Sequence, residues 1–206
     1  MSKIPARVVL ASGNRGKVRE LTEMLSGLHV QVVPQSEFGV AGAEETAVTF
    51  VENALIKARH AAARTGLPAV ADDSGIAVEG LNGAPGVHSA QYAGPDATDG
   101  SNLQKLLDDT RHLPEGQRAA SFICVLVYLA HERDPMPIIA QGVWKGELLR
   151  APVGGNGFGY DPIFYVPTHR CSSAQLPPEV KNRLSHRGQA LRSLLAQFTE
   201  RHGPGV

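Results

Sequence analysis

Six residues, Ser12-Gly13-Asn14-Arg15-Gly16-Lys17, follow the apolar run Val8-Val9-Leu10-Ala11 and combine small turn formers with two cations. Glycines let backbone N–H groups turn to one side without a Cβ penalty. A helix beginning near Lys17 would aim its unpaired N–H groups and the positive end of its dipole at the same place. Arg15, Lys17 and Arg19 crowd that helix start, where carboxylates are normally favoured. The chemistry this predicts is the holding of an anion, a phosphate above all. The pattern is not a P-loop, because Gly13 and Gly16-Lys17 are too close together and Val18 stands where Ser or Thr would hold magnesium.

Among the carboxylates, two adjacent pairs lie outside a helical pattern, Glu44-Glu45 in a Gly- and Glu-rich stretch and Asp72-Asp73 before Ser74-Gly75. On a strand, neighbours face opposite ways, so one of Asp72 and Asp73 would face a given site. The same four residues are also good turn chemistry. Asn53 and Lys57, four apart on a helix, share a face and could reach one ligand together. In Gly154–Pro162 glycines alternate with two aromatics and an Asp, so Phe158 or Tyr160 could stack on a flat base, with Gly159 and its neighbours allowing close approach. His186 and Arg187 fall in the first turn of a C-terminal helix, a second case of cations where an anion is wanted.

The elements that would position these groups read as α/β. Val18, Leu21, Leu25 and Leu28 recur at helical spacing and His29–Pro34 returns as a strand, giving a β-loop-α-β opening with its loop at the ligand-binding end. Ser36–Ala47 lacks periodicity. Thr49-Phe50-Val51-Glu52 has capping-box spacing and opens a helix to about Thr65, with Val51, Leu55, Ala58 and Ala62 as its buried stripe. Gly66-Leu67-Pro68 stops it, and Ala69-Val70-Ala71 is a short strand ending in the aspartates. Gly80–Gly94 reads as a loop, Asp96–Thr110 as a capped helix, Ala119–Ala130 as a doubly covered strand, and Ile138–Leu149 as its hairpin partner with close approaches at Gly142 and Gly146. Ile163–Val166 is a strand, Pro177–Lys181 a polar segment, and Ser185 caps a helix carrying Leu191, Leu194, Leu195 and Phe198.

The chain has 206 residues, of which 42% are hydrophobic and 19% charged, enough for one sizeable core or two joined lobes. Lys and Arg total 20 and so do Asp and Glu, which argues against a protein that tracks a nucleic-acid backbone. Cys124 and Cys171 have no CxxC spacing, no secretory leader precedes Val8, and no apolar run is long enough for a membrane span. A reducing cytoplasm is the expected compartment.

Taken together, SGNRGK, ENALIKA, ADDSG, GFGYDPIF and SHRGQAL resemble the inosine/xanthosine triphosphate pyrophosphatase family, in order and over almost the whole chain. The resemblance implies an elongated mixed α/β sheet with two lobes and the active cleft between them, a single pyrophosphatase domain over 1–206, and commonly a homodimer. It implies hydrolysis of ITP, dITP and XTP to the monophosphate and pyrophosphate with Mg²⁺. By the same resemblance Ser12 to Lys17, with Lys57 and Lys181, belong to the triphosphate. The family usually has Thr where Ser12 stands, and the hydroxyl is kept. Asp73, with Ser74 beside it, matches the general base and magnesium-associated carboxylate; the other magnesium acid falls at Glu45 or Glu44. Phe158, Gly159, Tyr160 and Asp161, with His186 and Arg187, match the nucleoside-recognition segments. Carboxylates without paired cysteines or closely spaced histidines suit an oxygen-bound Mg²⁺. Two other readings are a Maf-type pyrophosphatase of different base specificity and a nucleotide-binding sensor that has lost hydrolysis.

Overall fold

The computed structural model describes residues 5–25 and 30–202, leaving aside the side chains at 15, 25 and 202. The expected contributions of Leu28 and His29, and of the Leu25 and Arg15 side chains, lie outside this set. Seven strands form one mixed sheet in the order β2-β1-β3-β4-β5-β6-β7. They are β1 (Arg7–Ala11), β2 (Gln31–Pro34), β3 (Ala69–Val78), β4 (Ala119–Leu129), β5 (Ile138–Leu148), β6 (Phe164–Val166) and β7 (Cys171–Ser172). The helices are α1 (Arg15–Leu25), α2 (Phe50–Thr65), α3 (Asp99–Asp109), α4 (Pro178–Leu184) and α5 (His186–His202). β1 runs parallel to both β2 and β3, whereas β5, β6 and β7 are antiparallel. The mixed α/β sheet therefore agrees with the sequence.

Two compact units divide the chain, and each has its own core. The first comprises Met1–Asp73, Cys124–Gly142 and Arg187–Val206. Strand alternation there gives the sheet two apolar faces. Val8 and Leu10 pack with Leu21 of α1 and Leu191, Leu194 and Phe198 of α5, while Val9 and Ala11 face α2. α2 begins as its spacing predicts, with Thr49 Oγ1 accepting from the Glu52 backbone N–H at 3.3 Å, and ends at Gly66 in a left-handed conformation (φ 67°). Its buried stripe is rotated from the expected one. Ala54, Ala58, Ala61 and Ala62 are buried together with Asn53 and Lys57, and Val51 and Leu55 are half-buried. Alanines let this helix lie close to the sheet.

The second unit, Ser74–Ile123 with Val143–His186, is built on aromatic packing. Phe122 and Phe164 have ring centroids 4.5 Å apart, Trp144 lies 5.1 Å from Phe164, and the His186 ring stacks on Phe122 at 4.8 Å and 10°. The predicted close approach at Gly146 is present, since a Cβ there would come within 2.6 Å of Phe164 Cζ and against the Tyr165 carbonyl oxygen. α3 carries a full capping box between Thr98 and Ser101.

Two local readings are corrected and one is completed. β3 does not end at the aspartates but runs ten residues through Asp72-Asp73-Ser74-Gly75, so the turn chemistry of that tetrapeptide is overridden. The polar Pro177–Lys181 segment, given no regular structure from the sequence, lies at the start of α4, Pro178 occupying the first turn where its missing N–H costs nothing. The strand predicted from Ile163 starts at Phe164, Ile163 closing a short 3-10 turn.

Glycine replacement separates steric demand from a ligand's demand. Gly146→Ala should lower the unfolding free energy by about 1–3 kcal/mol, the usual cost of overpacking. Gly13→Ala, whose Cβ would meet nothing within 4 Å, should leave it unchanged to within about 0.5 kcal/mol. Urea titration of both variants reads the difference.

Candidate active site

In the first unit the loop between β1 and α1 is held by its own side chains. Asn14 N–H donates to Ser12 Oγ at 3.3 Å, and Asn14 Oδ1 accepts from the Lys17 backbone N–H at 3.1 Å, capping a helix that starts two residues earlier than expected. Gly13 is not in the left-handed region and none of the described residues crowds it, so its lack of a side chain is not demanded by packing among them.

β3 carries Asp72 and Asp73 into opposite environments. Asp72 is buried, with Lys17 Nζ at 2.8 Å from one carboxylate oxygen. Arg187 Nε lies 3.2 Å from the other, to which Cys124 Sγ also donates at 3.3 Å. Arg187 Nη1 donates in turn to Glu20 Oε2 at 2.7 Å. Burial alone would raise the Asp72 pKa, but Lys17 and Arg187 outweigh it and hold the carboxyl far below the usual range. Lys17 and Arg187 thus each meet carboxylates of this protein, Asp72 for both and Glu20 for Arg187. Arg187, matched to nucleoside recognition, is placed in this buried network.

Asp73 meets α2 instead. Lys57 Nζ bridges Asp73 Oδ1 at 2.7 Å and Glu45 Oε2 at 3.0 Å. Asp73 Oδ2 is buried and has no hydrogen-bond partner among the described residues. Burial pushes the Asp73 pKa up, Lys57 pulls it partly back, and the balance sits at about 6. Lys57 is lowered by burial and raised more by Asp73 and Glu45, so it stays protonated. Asn53, one turn before Lys57 on α2, is buried with it. Its amide clamps the Ala47 backbone, accepting at 3.0 Å and donating at 3.3 Å, and so ties down the segment that carries Glu45. Of the two candidate acids Glu45 reaches Lys57, and Glu44 is exposed. Among the described residues no group of three or more His, Cys, Asp or Glu is placed to hold a metal ion.

The second unit gathers another cluster. Asp161 is buried and accepts from Ser173 Oγ (2.8 Å), Lys181 Nζ (2.7 Å) and the Phe158 N–H (2.9 Å). Lys181 Nζ stands 5.2 Å from the Phe158 ring centre, beside the nucleoside-matched segment. Gly159 N–H donates to Asp99 Oδ2 at 2.9 Å. Gly157 has φ 79°, and a Cβ there would strike the Asp161 carboxylate. Phe158 is half-buried, whereas Tyr160 is a core residue whose hydroxyl donates to the Ser89 carbonyl at 2.8 Å. Of the two aromatics proposed for stacking, Tyr160 is therefore unavailable, because its ring is consumed by the core. Ser74 follows Asp73 on β3 and is half-buried; His186 is buried against Phe122.

Sequence reasoning missed Asp72 as an anchor, Glu20 and Asp99. The signal for Glu20 was its place one turn after Lys17 in α1; Asp99 had none.

A mixed sheet covered by helices, with aspartate–lysine pairs buried along one strand, defines an α/β enzyme. The chain belongs to the Ham1 family, whose sequence profile matches residues 8–197. Curated relatives named dITP/XTP pyrophosphatase include one from Vibrio cholerae, 57% identical over 94% of this chain and 97% of its own length. Another, from Escherichia coli O157:H7, is 58% identical over 92% and 96%. A HAM1 protein from Coxiella burnetii superposes with a TM-score of 0.87 at 54% identity, covering 94% of this chain and 98% of its own. The Staphylococcus aureus Ham1 protein gives 0.82 at 38%, covering 95% and 99%.

Asp72 is the anchor of the first cluster, so Asp72→Asn should cost about 3–5 kcal/mol at neutral pH, the penalty for stranding buried charges. A depressed folded pKa contributes stability above the unfolded value of about 4 that is lost as pH falls toward the folded one. The gap between wild type and Asp72→Asn in urea unfolding should therefore narrow steadily below about pH 4.

Proposed function

We infer that this protein hydrolyses deaminated purine nucleoside triphosphates, ITP, dITP and XTP, to the monophosphate and pyrophosphate, removing miscoding bases from the nucleotide pool. The observation that carries the reading is the Asp73–Lys57–Glu45 arrangement, in a chain whose relatives are named dITP/XTP pyrophosphatases.

Water must attack the α-phosphorus in line, with a proton acceptor beside it and positive charge to meet the departing pyrophosphate. Asp73 suits the first role. Its Oδ1 is fixed by Lys57 while Oδ2 is left to accept, and a pKa near 6 keeps it ionised yet basic at neutral pH. The two carboxylates that share Lys57, with one buried oxygen unpartnered, also fit a hard divalent cation, and we propose that Asp73 and Glu45 hold Mg²⁺. When bound, Mg²⁺ would neutralise phosphate charge and draw the substrate's oxygens into position. The Ser12–Lys17 loop is assigned to the triphosphate by its N–H groups at the start of α1.

For the base, Phe158 offers a half-buried ring for stacking, and Lys181 beside it offers a donor. Hypoxanthine and xanthine carry an acceptor oxygen at C6 where adenine carries an amino donor, so a cation there favours the deaminated bases and opposes ATP. In the same reading 1–206 is one functional domain, cytoplasmic and homodimeric. No helix among the described residues is long and apolar enough to cross a membrane.

With Mg²⁺, ITP should yield IMP and pyrophosphate; orthophosphate as the first product would place attack at the γ-phosphorus and overturn the reading. Asp73→Asn should lower single-turnover hydrolysis in Mg²⁺ by about a hundredfold or more while weakening ITP affinity measured without metal far less. Phe158→Ala should weaken ITP as a ligand about tenfold without changing competition by inorganic tripolyphosphate, since stacking acts on the base alone.

A further inference from the structure

The second unit also contains a cavity of about 350 Å³ at the C-terminal end of α3, lined among others by Gln104, Asp108, Arg111, Arg118 and Arg150, none of them a member of either cluster. Three guanidinium groups and one carboxylate line it. Arg118 is the unusual member. It is 3% exposed and makes no ion pair among the described residues; its Nε, Nη1 and Nη2 donate to the carbonyls of Leu148, Thr110 and Leu149 at 2.9, 2.7 and 3.0 Å. Part of this is architectural, since a cation at the end of α3 satisfies a helix-terminal carbonyl. Yet a guanidinium has five N–H donors and remains charged in a protein, and these carbonyls take three. Carbonyl dipoles solvate the charge without neutralising it.

The other two arginines are only loosely committed. Arg150 donates to Glu115 at 2.9 Å and to the Leu113 carbonyl at 3.2 Å, and Arg111 pairs with Asp108 at 2.6 Å. Both ion pairs are largely exposed, a class of contact worth little in water and readily exchanged for a better acceptor. Arg150 is also the like charge that, after burial, most disfavours the Arg118 cation. An anion entering the cavity would relieve that repulsion and occupy donors now unused.

We propose that this cavity is a second anion site, separate from the Asp73 cluster, that takes the phosphate group of a small phosphorylated molecule bearing hydroxyls. Planar arginine forks suit a phosphate, and the volume exceeds what a bare oxyanion fills while lying at the lower end for small-molecule pockets. Gln104 and Asp108 line the same cavity and supply acceptors for hydroxyl groups on the body of the ligand. A pentose phosphate has that combination.

Calorimetric titration with ribose 5-phosphate, inorganic phosphate and ribose tests this. The site predicts saturable binding of ribose 5-phosphate, weaker binding of inorganic phosphate and none of ribose. Arg150→Gln should weaken ribose 5-phosphate by about tenfold or more, the worth of a charge-assisted contact, without altering ITP hydrolysis. Glu115→Gln, which releases Arg150, should tighten it. Arg118→Gln carries a risk to folding, so the Arg150 and Glu115 variants decide the matter. Equal binding of inorganic phosphate and ribose 5-phosphate would reduce the site to one for free phosphate and overturn the hydroxyl-bearing ligand. Binding unaffected by Arg150→Gln, binding lost in Lys17→Ala, or no saturable binding would each overturn the site itself. ITP hydrolysis is read separately, so failure here leaves the pyrophosphatase reading standing.

Discussion

Two neighbouring carboxylates buried in the middle of a strand set the terms for everything around them. A buried carboxylate without a partner costs several kcal/mol even after the protein relaxes, so β3 can carry Asp72 and Asp73 only if cations are delivered to both faces. Three helices do this in the first unit, α1 through Lys17, α5 through Arg187 and α2 through Lys57. The ion pairs that prepare the site also tie to the sheet helices whose apolar faces already pack there.

Alternation along the strand then separates two identical side chains into different chemistry. Asp72 faces two cations and a thiol donor, and is held permanently ionised. Asp73 shares one lysine with Glu45, keeps one oxygen without a partner, and has its pKa raised into the range where a proton can be taken and returned. Adjacent residues of one type, pushed apart in pKa by their surroundings, are the usual means by which a site obtains a fixed charge and a titrating group together.

What could be read from the sequence was what is local. Periodicity located α2, β4 and β5 within a residue or so, capping spacing found Thr49, and the small-residue run after β1 put the start of α1 two residues late. Nonlocal compensation was not legible. Asp72-Asp73-Ser74-Gly75 has turn propensity, and only cations from distant elements make it a strand; Arg187 lies 115 positions from the aspartate it serves. The carboxylates that Lys17 and Arg187 meet, Asp72 and Glu20, were hidden for the same reason. Cations in a first turn do imply an anion, but sequence does not say whether it is a ligand or a carboxylate elsewhere in the chain. Tyr160 failed for a related reason, its hydroxyl finding the Ser89 carbonyl inside the core.

The second unit solves a different problem, the stiffening of a glycine-rich loop. Asp161 accepts from Ser173, Lys181 and the Phe158 N–H, while Asp99 takes the Gly159 N–H, so the backbone on both sides of the Phe158 ring is held by carboxylates. Gly157 is required because its positive φ and the adjacent Asp161 leave no room for a Cβ. A ring fixed before its partner arrives loses little conformational entropy on stacking, and such preorganisation raises affinity without adding contacts. Holding Lys181 through Asp161 has a second consequence. The ammonium beside the ring is partly balanced by a carboxylate, so a base is favoured for offering an acceptor at the right edge, and bulk negative charge alone gains less there. Gly157 therefore serves order, allowing a close carboxylate contact that any larger side chain would block.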